Sequence, residues 1–357
     1  MYEQPIEEGL ISVLMSTYNR APGFLRESIE SILNQTYSDF EFIIIDDGSK
    51  NSTREIVESY HDPRIKLIVN EHNIGLTNSL NKGLDVCRGE YIARMDDDDI
   101  AMPERFEKQM AFMRENPDVI VCGTWVDFID ENGQLTGQKI QDRIEDMDTY
   151  RIFLLFGNIP TIPHPSAFID RKSLINNGLK YDPECVCAQD YSLWVKCAAI
   201  GNCAILTETL MKYRKHSKSI SVAKNQLQKQ MDHIIIQYQL DALHLTLTDS
   251  VKPFHYHLLN DSWDLQNRYN LQLKKWIKKL IKANDKYKIY NQKKLKSLLW
   301  YRWNLICRTA IHNEKAFSKK ISIIFSLTPG GLFYCLQRVT NKMTEKILVR
   351  KIQVDQL

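Results

Sequence analysis

The chain has no G-x-G-x-x-G after its first apolar run and no G-x-x-x-x-G-K-[ST] anywhere. Those gaps exclude the dinucleotide fingerprint and the phosphate-binding P-loop. None of its eight cysteines forms a CxxC pair or has a His at ligand spacing, so they read as reduced, buried or idle thiols. The opening MYEQPIEEGL is acidic and lacks the apolar stretch of a secretory signal. The uncharged, apolar-leaning run Ile321 to Gln337 is broken by Thr328-Pro-Gly-Gly331 and makes a poor membrane-spanning helix. No internal period of a solenoid stands out. The expected compartment is the cytoplasm.

What is present suits a folded, two-part chain. At 357 residues it exceeds one ordinary domain, and 43% hydrophobic with 25% charged residues can bury a core. The net charge of +3 conceals an asymmetry. Residues 251–357 carry 22 Lys and Arg against 6 Asp and Glu, whereas residues 1–250 carry 25 against 38. An acidic body is joined to a strongly basic tail.

Short apolar runs alternate with helical patterns through the acidic body. Leu10–Met15, Phe40–Ile45, Ile65–Val69, Tyr91–Met95 and Val119–Gly123 read as strands. Between them, Phe24–Leu33, a segment from about Ser52, Leu76–Cys87 and Pro103–Asn116 read as helices. Ser166–Asp170, Ala204–Leu206 and Leu210–Tyr213 read as further strands, and Tyr191–Ile200 as a helix. This alternation demands crossovers and a parallel sheet. Asn225–Leu245 and the Lys-, Trp- and Leu-rich Leu271–Ile306 read as helical. The domains expected are 1–222 and 223–357.

Three of the strands end in polar clusters: Ser16–Asn19, Asp46–Ser49 and Asp96–Asp99. In an open parallel sheet ligands bind beyond the carboxyl ends of the strands, so the three loops converge on one crevice. Four consecutive aspartates repel one another, a cost relieved either by a divalent cation bridging to phosphates or, as a solvated acidic loop, by water. Asp46 and Asp47 suit either hydrogen bonds to a nucleobase or ribose, or an ordinary Asp-Gly-Ser turn. Tyr18 suits either stacking on a base or core packing.

Ser16-Thr-Tyr-Asn19, Ile45-Asp-Asp-Gly-Ser49, Asn73-Ile-Gly-Leu76, Gly89 to Ile100 and Gln189-Asp-Tyr191 occur in this order. Together they resemble family 2 glycosyltransferases over about residues 10–220, in the branch that builds bacterial O-antigen, capsule or exopolysaccharide. The resemblance implies the GT-A fold: an α/β, Rossmann-like, mostly parallel central sheet flanked by helices, here with an α-helical C-terminal extension. It implies a UDP-sugar donor, with Tyr18 and Asp47 on the uracil and Ser16 and Thr17 nearby. Asp96 and Asp98 match the D-x-D pattern, Asp96 towards the ribose and Asp98 on Mn2+ or Mg2+, with Asp97 in the nucleotide-sugar site. Asp190 matches the catalytic base, although Gln189 stands where Glu is usual. Tyr213-Arg-Lys-His216 resembles a segment whose His helps hold metal or diphosphate; a structural His at a strand end is the alternative.

The activity implied is an inverting transfer of one sugar to a saccharide acceptor, lipid-linked in this branch. A base removes the hydroxyl proton while a cation neutralises the departing diphosphate. Leu299-Trp-Tyr-Arg-Trp303 is an imperfect match to the Q-x-x-R-W of processive relatives, and no spanning helix accompanies it. Two alternatives are a non-catalytic nucleotide-sugar-binding protein and a sugar-nucleotide nucleotidylyltransferase, whose phosphate loop is missing from Ser16–Pro22. No nucleic-acid motif accompanies the basic tail, so nucleic acid is not an expected partner. On a helix, Leu273, Trp276, Ile277, Leu280 and Ile281 gather opposite the lysines of Lys274–Lys282. That pattern predicts an interfacial helix and a peripheral position at the inner, cytoplasmic face of the membrane, the alternative being a helical subdomain that packs its aromatic face on the acidic body.

Overall fold

The computed structural model describes residues 4–157, 162–216, 225–258 and 271–313. The chain divides into two compact units, one of residues 1–151 and 159–235, the other of residues 152–158 and 236–357. The division falls about thirteen residues beyond the expected 222/223 boundary, inside the helix Asn225–Asp241. A short segment at 152–158 also belongs with the C-terminal unit.

The first unit is built on a nine-stranded sheet ordered β3-β2-β1-β4-β8-β6-β9-β5, with β7 paired to β6. The strands are β1 (Glu7–Thr17), β2 (Phe40–Asp46), β3 (Ile65–Val69), β4 (Gly89–Met95), β5 (Ile100–Ala101), β6 (Val119–Ile129), β7 (Leu135–Ile140), β8 (Phe168–Asp170) and β9 (Asn202–Arg214). The half expected from the apolar runs is parallel: β1 pairs with β2 and β4, and β2 with β3. Beyond β4 the sheet becomes mixed, because β8 enters antiparallel to both β4 and β6. A 3-10 turn at His164–Ser166 leads directly into β8. Ala204–Leu206 and Leu210–Tyr213 belong to one strand, β9, whose register shifts opposite Thr124–Val126.

Helices α1 (Pro22–Leu33), α2 (Thr53–Glu58), α3 (Leu76–Val86) and α4 (Arg105–Glu115) follow the first strands in turn. α5 (Met147–Leu155), α6 (Arg171–Asn176) and α7 (Gln189–Ile200) come next. Val13, Met15, Phe42, Ile44, Ala93 and Met95 are fully buried or nearly so, and Leu25, Ile29 and Ile32 of α1 share their core. β2 is buried along its whole length, as expected of a parallel strand covered on both faces.

The C-terminal unit contains the end of α8 (Asn225–Asp241), then α9 (Lys252–His257), α10 (Leu271–Tyr287) and α11 (Gln292–Asn313). The lysine-rich stretch forms two helices. The apolar face of α10 is buried: Leu273, Ile277 and Leu280 have no exposed surface, and Trp276 is 4% exposed. The Trp276 indole N–H donates to His255 Nδ1 at 3.1 Å, and His255 Nε2 lies 2.8 Å from the Leu155 carbonyl. Leu295, Leu299 and Trp303 of α11 are buried as well. The face expected to enter a bilayer is thus consumed by packing within the unit, and the lysines stay outside. Among the described residues no helix is long and apolar enough to cross a membrane. Ile321–Gln337 lies outside the described residues.

Candidate active site

The strand order reverses between β1 and β4, which lie side by side with Met15 opposite Met95. The loops after these strands, Ser16–Arg20 and Asp96–Asp99, therefore meet at the switch point where a ligand crevice forms. Ser16 and Thr17 are buried at the end of β1, whereas Tyr18 is 45% exposed, which removes core packing as its role. Asn19 adopts φ 48° and its side chain accepts from the Lys50 N–H, tying this loop to the one after β2.

Asp47 organises that second loop. Its carboxylate accepts from the N–H of Ile74 and of Gly75 and from the Asn70 side chain, each at 2.9 Å. It is 2% exposed. The Asn73-Ile-Gly-Leu76 motif is the partner that Asp47 holds. Asp46 accepts from the Ser49 N–H at 3.0 Å, the turn chemistry its sequence suggested.

The four aspartates diverge. Asp96, Asp98 and Asp99 offer oxygens within 4.8 Å of one another. Asp97 turns instead to Arg20, whose guanidinium lies 2.7 Å from Asp97 and 2.9 Å from Asp98. Burial, with Asp98 beside it and Arg20 working against the shift, pushes the Asp97 carboxyl up; burial with the Asp98 and Asp96 charges pushes Asp99 well up. Asp99 Oδ1 accepts from the Arg214 N–H at 2.7 Å, while its Oδ2 is buried with no hydrogen-bond partner among the described residues. His216 Nε2 lies 2.8 Å from Asp98 Oδ2. Crowded, partly orphaned carboxylate oxygens with an adjacent imidazole fit a hard divalent cation.

Arginines that sequence reasoning passed over hold this loop. Arg94, fully buried in β4, pairs with Asp96. Arg214, 1% exposed, donates to the Asp98 carbonyl at 2.8 Å, pairs with Glu27 of α1, and sits 4.5 Å from the Phe24 ring centroid. A buried Arg in a strand that ends on acids was the available signal, because such charges are almost never buried unpaired.

Asp190 stands in the first turn of α7, where its charge faces the positive end of the helix. Its Oδ1 accepts from the Tyr191 N–H at 2.9 Å, yet burial pushes its pKa up. Burial and the Asp190 charge also push Asp232, on α8, up to about 6. Sequence gave no sign of this second carboxylate, which lies in the least patterned part of the chain. Asp190, Gln189 and Asp96 line one cavity of about 350 Å³ whose walls include Phe128, His164 and Tyr213. The Asp190 and Asp96 carboxylates thus open onto one half-open cavity.

A protein-family model for Glycosyl transferase family 2 matches residues 12–178. An uncharacterized glycosyltransferase of Methanocaldococcus jannaschii is 40% identical over 228 residues, covering 63% of this chain and 77% of the relative. The chain belongs to glycosyltransferase family 2. Other family relatives are the amylovoran biosynthesis glycosyltransferase AmsE of Erwinia amylovora, 30% identical over 59% of this chain and 79% of AmsE, and the O-antigen biosynthesis glycosyltransferase WbnJ of Escherichia coli, 35% identical over 59% of this chain and 81% of WbnJ. Among solved structures, Staphylococcus aureus TarS 1-349 in complex with UDP-GlcNAc has a TM-score of 0.55 at 19% identity, covering 85% of this chain and 88% of that one. At that identity the likeness concerns the fold, which is GT-A. Membership of the family makes the chain a transferase enzyme and sets aside the binding-protein and nucleotidylyltransferase alternatives.

Proposed function

We propose that this family member transfers one sugar, with inversion, from a UDP-sugar to a lipid-linked saccharide in bacterial surface-polysaccharide synthesis. The observation that carries the reading is the shared cavity, which Asp190 and Asp96 both line. Relatives named for amylovoran and O-antigen biosynthesis support the polysaccharide context, and TarS structures with UDP and UDP-GlcNAc support the donor class.

In this reading Asp190 is the base. Its raised pKa brings it closer to the proton it must take from the acceptor hydroxyl. Tyr18, exposed beside the switch point, stacks on the uracil, and Ser16, Thr17 and Asp47 shape that pocket, Asp47 chiefly by holding the Ile74–Gly75 turn. Asp96 meets the nucleotide sugar, with Asp97 held beside it by Arg20. Asp98 and Asp99, with His216, would hold Mn2+ or Mg2+, which when bound supplies charge neutralisation for the departing diphosphate. The exposed lysines of α10, Lys275, Lys278, Lys279 and Lys282, give the chain a peripheral attachment to anionic lipid by charge.

The test is UDP release by the purified chain across a panel of UDP-sugars with lipid-linked saccharide acceptors. Asp190→Asn is expected to keep UDP-sugar affinity and lose roughly 10²-fold or more in kcat. The wild-type product should carry the opposite anomeric configuration to the donor by NMR. A retained configuration, or an active Asp190→Asn, would remove Asp190 from the role.

A further inference from the structure

The wall of the cavity formed by β9 and its neighbours carries a cation with no place in the reading above. Successive residues of an extended strand point to opposite faces. Lys215 continues β9, since its N–H still donates to the Ile129 carbonyl at 2.9 Å. Arg214 and His216 accordingly reach the Asp98–Asp99 loop, whereas Tyr213 and Lys215 share the other face and line the cavity.

Lys215 is held there from two sides. Its Nζ lies 4.0 Å from the Phe128 ring centroid and donates to Gln138 Oε1 of β7 at 2.8 Å. Phe128 and Tyr213 meet edge to face with centroids 5.4 Å apart, so aromatic surface and ammonium form one continuous wall. Lys215 is the lone Lys or Arg among the described residues lining the cavity. The cavity's imidazole, His164, is held neutral by burial and the nearby Arg94 charge. No ion pair to Lys215 occurs among the described residues, and Asp127, in register with Lys212 on the opposite face of β9, lies 3.3 Å from Lys139.

An aromatic surface offers a sugar ring its face, and a fixed ammonium without a carboxylate partner rewards an anion placed beside that ring. We propose that the cavity takes an acceptor saccharide bearing an anionic substituent, a carboxylate or a phosphate. Lys215 pairs with that group while Tyr213, backed by Phe128, carries the ring. This rests on reading the cavity as the transfer site. The donor diphosphate is disfavoured for Lys215, because strand alternation puts this side chain on the opposite face from Arg214 and His216, which meet Asp99 and Asp98.

The experiment titrates the full chain, saturated with UDP and Mn2+, with three probes: methyl β-glucuronide, glucose 6-phosphate and neutral methyl β-glucoside. Wild type should bind one of the anionic probes about tenfold tighter than the neutral one, as expected for one charge-assisted hydrogen bond. The better anionic probe distinguishes carboxylate from phosphate. Lys215→Gln should lose the preference and Lys215→Arg should keep it, with UDP affinity the same in all three proteins. Equal binding of charged and neutral probes by wild type overturns the inference alone. A Lys215→Gln that weakens UDP as much as the probe also overturns it, by assigning the lysine to the donor. Absence of UDP binding by wild type overturns the transfer-site reading and this inference with it.

Discussion

Asp190 illustrates how placement sets chemistry at the scale of a residue. The helix terminus and the Tyr191 N–H favour its ionised form, but burial wins and raises the pKa. A base works deprotonated, so activity should fall as pH drops through that raised value. The acid limb of kcat/KM, followed by UDP release, should lie above the ordinary aspartate value of about 3.9. A limb at or below that value would contradict the environment described here. Asp98 carries a second prediction, because it touches both His216 and Arg20 and shares the acidic cluster. Asp98→Ala should abolish transfer, and EDTA should do so reversibly, restored by Mn2+ or Mg2+. Full activity in EDTA would refute the cation. The aspartates were legible as a run of like charge, but the side-chain partners that hold each of them were not. Arg20, Arg94 and Arg214 come from three separate segments, so only folding reveals that Arg20 pairs with Asp97 and Asp98, Arg94 with Asp96 and Arg214 with Glu27.

Among the elements, the loop after β2 shows the tightest coupling of sequence to site. Gly48 has φ +73°, and a Cβ there would lie 2.6 Å from the backbone carbon of His72. Neither the backbone angle nor the contact tolerates a side chain. Gly48→Ala should cost about 1–3 kcal/mol, read as a lower urea midpoint. Because Asp47 holds Ile74 and Gly75, UDP affinity should fall in the same variant. Unchanged stability and binding together would show that the two loops are not coupled. β1, β2 and β4 were legible because both their faces are largely buried and the apolar runs are continuous. β9 was read as two strands, since Thr207-Glu-Thr209 breaks its apolar pattern where the register with β6 shifts. A polar interruption on a strand looks the same in sequence as a turn.

At the scale of the whole molecule, the two units divide the charge. The helices α10 and α11 carry most of the described cationic residues of the tail, and their apolar faces are already spent on packing. Trp276→Ala should therefore destabilise the C-terminal unit by about 3–5 kcal/mol in thermal unfolding, as expected for a buried aromatic. Binding to anionic liposomes should instead depend on the exposed lysines. Changing Lys275, Lys278, Lys279 and Lys282 to Gln should lower co-sedimentation sharply without lowering thermal stability, and high salt should do the same to wild type. Loss of vesicle binding with Trp276→Ala in protein that remains folded would restore an insertion role for the apolar face.

The sequence by itself determined the α/β character of the first unit, the crevice-lining loops and the motifs that mark the family. These depend on local periodicity and on short runs of residue type, which survive in one dimension. Only the tertiary structure decided that β8 enters antiparallel, that Asp97 faces Arg20, that Lys215 shares a wall with Phe128 and that α10 hides its tryptophan. An amphipathic pattern states that a face must leave water, but whether it meets lipid or protein depends on what the rest of the chain brings to it.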